Sequence, residues 1–306
     1  MLSCHLLTFS STLVSAKLRP VKPGTNERSS FDKAILWRVA AMGLAWLALY
    51  FDTLRRLLDD WRVDENYSHG FLVPLISAYA VWSDRKQLAA TPREPRFWPG
   101  AGITVFSVLM LLAGIAGAEL YLARLSLLFS FVGLVLYFCG AEWLRRMAFP
   151  IGIWLLAIPI PNVIFFRIAL PLQLIASDYA TRAIKLFGIP ALREGNVIEL
   201  AQMKLQVVEA CSGIRSLVSL LTLAVVYIYF TEDRWLRRIA ILLAVAPIAI
   251  IANATRVAGT GVMAHYYGIQ AAEGFMHGFS GWLVFLAAIL LLLAFAKLLD
   301  LIERLK

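Results

Sequence analysis

Three side chains in separate parts of the chain have the types needed to attack a carbonyl: the thiol of Cys211, the guanidinium of Arg256 and the imidazole of His277. Cys211 lies in Val207-Val208-Glu209-Ala210-Cys211-Ser212-Gly213-Ile214-Arg215-Ser216-Leu217, where a polar stretch gives way to a long apolar run. This predicts a helix N-terminus, where unpaired N–H groups and the positive dipole end draw a thiol towards thiolate. The plainer reading is a small residue at the end of a membrane helix. Arg256 falls about seven residues inside the outer end of an apolar run, roughly 10 Å deep at ~1.5 Å per residue. Charges at such depth are rare and usually functional, although a snorkelling Arg can also brace packing. Asn253, three positions earlier, shares its helix face. His277 precedes the last apolar run, in His277-Gly278-Phe279-Ser280-Gly281-Trp282. It reads as an interfacial surface residue or as a titratable base. Cysteine with histidine is a nucleophile–base pairing, and a fixed cation can stabilise an oxyanion.

Several neighbours compete for supporting roles. Glu209 could pair with Arg256 or with Arg215. Arg215, four residues after Cys211, rivals Arg256 as oxyanion donor. His265 is an alternative base. His69, in Tyr67-Ser68-His69-Gly70-Phe71, is either a supporting site residue or a structural one. No His, Cys and carboxylate group has metal-ligand spacing, and no Gly-rich phosphate loop precedes a Lys. The expectation is therefore chemistry without metal or cofactor.

These residues need elements that bring them to one depth. The chain has 306 residues, of which 60% are hydrophobic, and a mean hydropathy of +0.73. Soluble domains are closer to half apolar. Apolar runs lie at about 35–51, 68–83, 98–118, 120–140, 147–166, 213–230, 239–263 and 280–299. Spanning a bilayer takes roughly 20 residues, so the expected fold is an all-α polytopic membrane domain over 34–306 with about eight transmembrane helices. The second run is short and carries Pro74, which leaves full insertion open. Residues 1–33 read as a cytoplasmic tail. The net charge of +9 marks topology here and not nucleic-acid binding, because Lys and Arg cluster in the short connections 84–97, 141–146 and 231–238. The positive-inside rule makes that face cytoplasmic. The outer connections 52–67 and 167–212 fit the rule less well, since both carry basic residues. Cys211, Arg256 and His277 then converge at one outer level. Cys4, Cys139 and Cys211 form no disulfide framework.

The long outer stretch is not a simple loop. Gln173, Ser177, Asp178, Thr181, Arg182 and Lys185 recur at helical spacing, which predicts an amphipathic helix over 168–187 lying on the membrane surface. Val197-Ile198-Glu199-Leu200 and Leu205-Gln206-Val207-Val208 predict a small hairpin leading into Cys211.

From about residue 60 onwards the chain resembles the exosortase/archaeosortase family. The resemblance rests on Tyr67-Ser68-His69-Gly70-Phe71, Arg193-Glu194-Gly195-Asn196, Glu209-Ala210-Cys211-Ser212-Gly213-Ile214-Arg215-Ser216, Asn253-Ala254-Thr255-Arg256, and His277 with Phe279-Ser280-Gly281-Trp282. It implies that Cys211, Arg256 and His277 are the catalytic set. It further implies a bacterial inner-membrane cysteine protease or transpeptidase with its active site on the periplasmic side. The implied partners are membrane lipids and secreted proteins whose C-terminal sorting signals carry a Pro-Glu-Pro motif, a span and a basic tail, in systems linked to exopolysaccharide production. Two other classes stay open on the residues alone: a membrane acyl or glycan transferase, and a non-enzymatic polysaccharide-export subunit or transporter. No internal repeat of the kind transporters show is present.

Overall fold

A computed structural model describes residues 33–201, 204–206, 214–268, 270 and 275–305. The expected tail falls outside them. Helices dominate, and five described helices are long and apolar enough to cross a membrane. The chain divides into two compact units, Met1–Leu58 with Pro74–Trp154, and Asp59–Val73 with Leu155–Lys306.

Helix α1, Lys33–Val63, begins apolar and ends charged. A 3-10 turn, Glu65–Phe71, follows it, and then α2, Leu72–Ser83, and α3, Arg85–Ala90. The centre of the first unit is the pair α4, Phe97–Ala116, and α5, Leu120–Phe138. Their backbones touch, because Gly100 lies against Tyr137, Gly114 against Ala123 and Gly133 against Thr104, and any Cβ at those glycines would collide. Such small-residue contacts substitute for the hydrophobic drive that lipid removes. Tyr50 of α1 completes a core with Leu111, Ala123 and Leu127, and Trp46 donates to Ser130 Oγ over 2.8 Å. Two short helices follow, α6, Ala141–Arg146, and α7, Ala148–Gly152.

The second unit holds α8, Asn162–Leu186, a three-stranded antiparallel sheet, α9, Ile214–Thr231, α10, Trp235–Tyr267, and α11, Phe275–Arg304. Strands β1, Ala191–Glu194, β2, Val197–Leu200, and β3, Lys204–Gln206, run in chain order. Ile198 pairs with Arg193 on one side and Leu205 on the other. The expected hairpin is therefore present and gains a strand containing Arg193. Gly195 takes φ +62, as the first position of the tight β1–β2 turn requires. Alternate residues of β2, Ile198 and Leu200, pack with Ala180 and Ile184 of α8 and with Val257 and Ala258 of α10. Helices α9, α10 and α11 share a second core around Leu220, Ile241, Val245, Ala288 and Leu292.

Three expectations change. Five of the described helices, not eight, have the length and composition of a span. Run 68–83 divides into the 3-10 turn and the 12-residue α2. Run 147–166 is no single helix, because Pro159 and Pro161 interrupt it and α8 begins only at Asn162. The stripe predicted over 168–187 belongs to α8, a helix with the length and composition of a span. Its neutral polar residues turn inward, while Arg182 and Lys185 of the same stripe stay exposed. Gln173, Ser177 and Thr181 are buried, while Val163, Ile164, Phe166 and Leu170 are exposed. Two of the buried ones reach the sheet turn, with Ser177 Oγ donating to Gly195 O over 3.0 Å and Asn196 Nδ2 to Gln173 Oε1 over 3.4 Å. Periodicity reports that a helix has two faces, but not which of them is wet.

Candidate functional site

Within the second unit, residues 157–161 lack regular structure between the 3-10 turn Ile153–Leu156 and α8. Ala157 and Ile158 are nonetheless buried. Non-helical backbone at such a place needs partners, since an unsatisfied group in an apolar medium costs several kcal/mol. The segment around Tyr67-Ser68-His69 supplies them. Trp61 Nε1 donates to Ala157 O over 2.8 Å, and Ile160 N donates to the Tyr67 hydroxyl over 3.1 Å. His69 Nε2 lies 3.0 Å from Leu156 O. A carbonyl only accepts, so Nε2 carries the hydrogen and the neutral ring keeps its lone pair on Nδ1. The 3-10 turn lies outside the five span-length helices. Burial holds His69 below its ordinary pKa, opposed by the carbonyls of Leu156 and Asn66. Gly70 lies against the Trp61 indole, where a Cβ would collide. His69 thus clamps irregular backbone in this structure.

The same turn reaches α9. Glu65, its first residue, forms an ion pair with Arg215, the second residue of α9. Glu65 escaped the reading of the sequence because nothing local marks a partner so far along the chain. The expected nucleophile Cys211 and its neighbour Glu209 lie outside the described residues, three and five positions before α9 starts.

Arg256 occupies α10 and is half-buried, with Asn253 buried one turn earlier. Its guanidinium lies against Gly281 of α11. A Cβ built on Gly281 would fall 3.2 Å from both Cζ and Nη2, a contact tight enough to make the guanidinium yield. Gly281 follows His277 by four residues, one helical turn. Arg256 therefore reaches the helical turn adjoining His277. The His277 side chain itself lies outside the described set. His265 is half-buried near the end of α10 and meets Tyr266 edge to face at 5.0 Å.

The Arg193-Glu194-Gly195-Asn196 motif ties the sheet to α8. Arg193 Nη1 donates to Gly195 O over 3.1 Å and to Leu174 O over 3.3 Å, and its Nε approaches Asp178 at 3.9 Å. Gly261 of α10 leaves room for Ile184 of α8 and Leu205 of β3. These contacts hold the α10 segment bearing Asn253 and Arg256 against the sheet whose last described residue is Gln206. In the other unit, Cys139 is a free thiol at the cap of α5. Burial raises its pKa and nearby Arg93 opposes the rise, so it is a poor nucleophile. Among the described residues no three His, Cys, Asp or Glu side chains gather as a metal site.

A family model described as Transmembrane exosortase matches residues 61–294. No curated protein and no solved structure matches the chain. The matched segment holds every residue discussed above as a site candidate. The chain belongs to the transmembrane exosortase family, and it is a multi-pass membrane protein.

Proposed function

We propose, from this family membership, that the protein is a membrane-embedded cysteine protease or transpeptidase. Its substrates are secreted proteins carrying a C-terminal Pro-Glu-Pro-type sorting signal, processed on the periplasmic side of the bacterial inner membrane in support of exopolysaccharide production. The Cys211 thiolate attacks a peptide carbonyl near the substrate's membrane anchor, forming a C–S bond and a tetrahedral oxyanion. Arg256 donates to that oxyanion. His277 protonates the leaving amine as the C–N bond breaks, which leaves a thioester. The unprotonated imidazole then takes a proton from the incoming nucleophile as the C–S bond breaks.

One observation carries this assignment. The Arg256 guanidinium packs on Gly281, one turn from His277, whereas Arg215 is engaged by Glu65. That seat brings a cation to the helical turn adjoining His277, so the role goes to Arg256. Gly281 has a reason in the same geometry, because a side chain there would displace the guanidinium.

The test is co-expression with a secreted protein that ends in such a signal, followed by immunoblotting. Wild-type enzyme should shorten the substrate. Cys211→Ala, at equal membrane abundance, should leave it full length. A shortened product made by Cys211→Ala would eliminate the covalent mechanism.

A further inference from the structure

Several described ion pairs join neighbours on one helix, as Arg56 does with Asp52 and Arg182 with Asp178. The pair of Glu65 with Arg215 instead joins two elements remote in sequence and stays open to solvent, with side-chain exposures of 72% and 36%. An ion pair so exposed contributes little to stability, so another carboxylate can replace Glu65 at small cost. Arg215 is also only partly used. Its Nη1 meets the Glu65 carboxylate, whereas its Nε is shielded from solvent and has no acceptor among the described residues. A guanidinium is a planar fork that can hold carboxylate oxygens on more than one N–H. A shielded donor left unfilled is unfavourable, and an incoming acceptor relieves it. Arg215 begins the apolar stretch Arg215–Thr231, at the end of α9 that the chain enters from Cys211. Cys211 precedes Arg215 by four residues, which reach at most about 14 Å when fully extended. A peptide held at that thiol therefore passes within a few residues' length of the Arg215 guanidinium.

We propose, on the peptidase reading, that Arg215 is a specificity-determining residue that binds an acidic side chain of the substrate close to the cleaved bond. Glu65 is the resident carboxylate that this side chain replaces. The exchange trades one ion pair for another and adds an acceptor for Nε, and that added bond is the source of selectivity. A neutral or basic residue at the same place leaves Glu65 on Arg215 and gains nothing. In the proposed substrates the glutamate of the Pro-Glu-Pro segment is the acidic side chain concerned.

The experiment co-expresses the full-length enzyme with secreted proteins whose signals differ only at that glutamate, kept or replaced by Gln or Arg. Processing is read by immunoblot, and co-purification of unprocessed protein is read with Cys211→Ala enzyme. Wild type should process the Gln signal about tenfold more slowly than the Glu signal, as expected for losing one charge-assisted hydrogen bond. Arg215→Gln should process the two alike. The reversed pair, Glu65→Arg with Arg215→Glu, keeps an ion pair between the turn and α9, and should prefer the Arg signal to the Glu signal. Equal processing of the Glu and Gln signals by wild type would overturn the proposal, and this arm needs no enzyme variant to fold. Discrimination retained by Arg215→Gln would overturn the assignment to Arg215. Full activity of the reversed pair on the Glu signal, or equal loss on all signals, would make the pair a brace and refute the subsite. Retention by Cys211→Ala that depends on the glutamate, with no processing by wild type, sinks the peptidase mechanism and supports the subsite. Processing indifferent to the glutamate sinks the subsite alone.

Discussion

The two units satisfy their polar groups in different ways. In both, hydroxyls turn back on their own helices, as Ser107 does to Thr104 O and Thr222 to Val218 O, and the bonds that cross in the first unit, Trp46 to Ser130, Tyr50 to Ser126 O and Ser77 to Pro150 O, brace helix against helix. Glycines bring α4 and α5 into backbone contact. In the second, polar side chains cross between elements remote in sequence. Trp61, Tyr67 and His69 hold the break at 156–160, Glu65 holds Arg215, Ser177 holds the sheet turn, and Arg256 lies on Gly281. A hydroxyl bonded only within its own helix, such as Ser107, fixes nothing beyond its own turn. A cross-element bond fixes the relative positions of two elements, which is what a reaction at a single point demands. The second unit is accordingly where the candidate catalytic residues fall.

The largest expected effect breaks the second unit at its cation. Arg256→Lys keeps a charge but loses the planar fork, and processing per folded protein should fall on the order of 10²–10³-fold. Arg215→Lys, which keeps its pairing with Glu65, should fall far less. A dead Arg215→Lys beside a fully active Arg256→Lys would transfer the role to Arg215. Gly281→Ala sharpens the same point, because its methyl presses the guanidinium without removing it. Its activity should lie between wild type and Arg256→Lys, and a fully active Gly281→Ala would show that the guanidinium position is slack.

Stability comes next. Tyr67→Phe leaves the part-buried Ile160 N–H without its hydroxyl partner, a loss of about 1 kcal/mol. The melting temperature of the purified protein should drop accordingly. In the first unit, Ser107→Ala removes a hydroxyl bonded within its own helix and should shift it by less. Equal shifts from the two variants would dissolve the distinction between local and cross-element bonding.

The smallest effect is a pH dependence. The folded protein holds His69 below its ordinary value of 6.5, chiefly by burial. An unfolded chain then takes up the proton first as the medium acidifies. The stability tied to neutral His69 is present above pH 6.5 and is lost as pH falls through the lower folded value. Replacing His69 by Gln, which can still donate to Leu156 O, should flatten this part of the melting-temperature profile. An unchanged profile would assign the acid sensitivity to other groups.

Composition and hydropathy alone determine that this is a helical membrane protein. The runs that became α4, α5, α10 and α11 were legible because a bilayer demands long apolar stretches, and such stretches need no tertiary information. The paired strands around Glu199 were legible from β-branched residues flanked by turn residues. The candidate residues Cys211, Arg256 and His277 were legible because polar groups stand out against an apolar background. Tertiary structure decided the rest. Hydropathy averages over a window, so run 147–166 looked continuous although Pro159 and Pro161 break it and side chains from 61–69 must repair it. Periodicity could not tell that Gln173, Ser177 and Thr181 are buried while Arg182 and Lys185 are exposed, because it reports two faces without saying what covers each. The pairing of Glu65 with Arg215 and the seat of Arg256 on Gly281 join positions that only folding brings close. They depend on distances in space, which residue order does not encode locally.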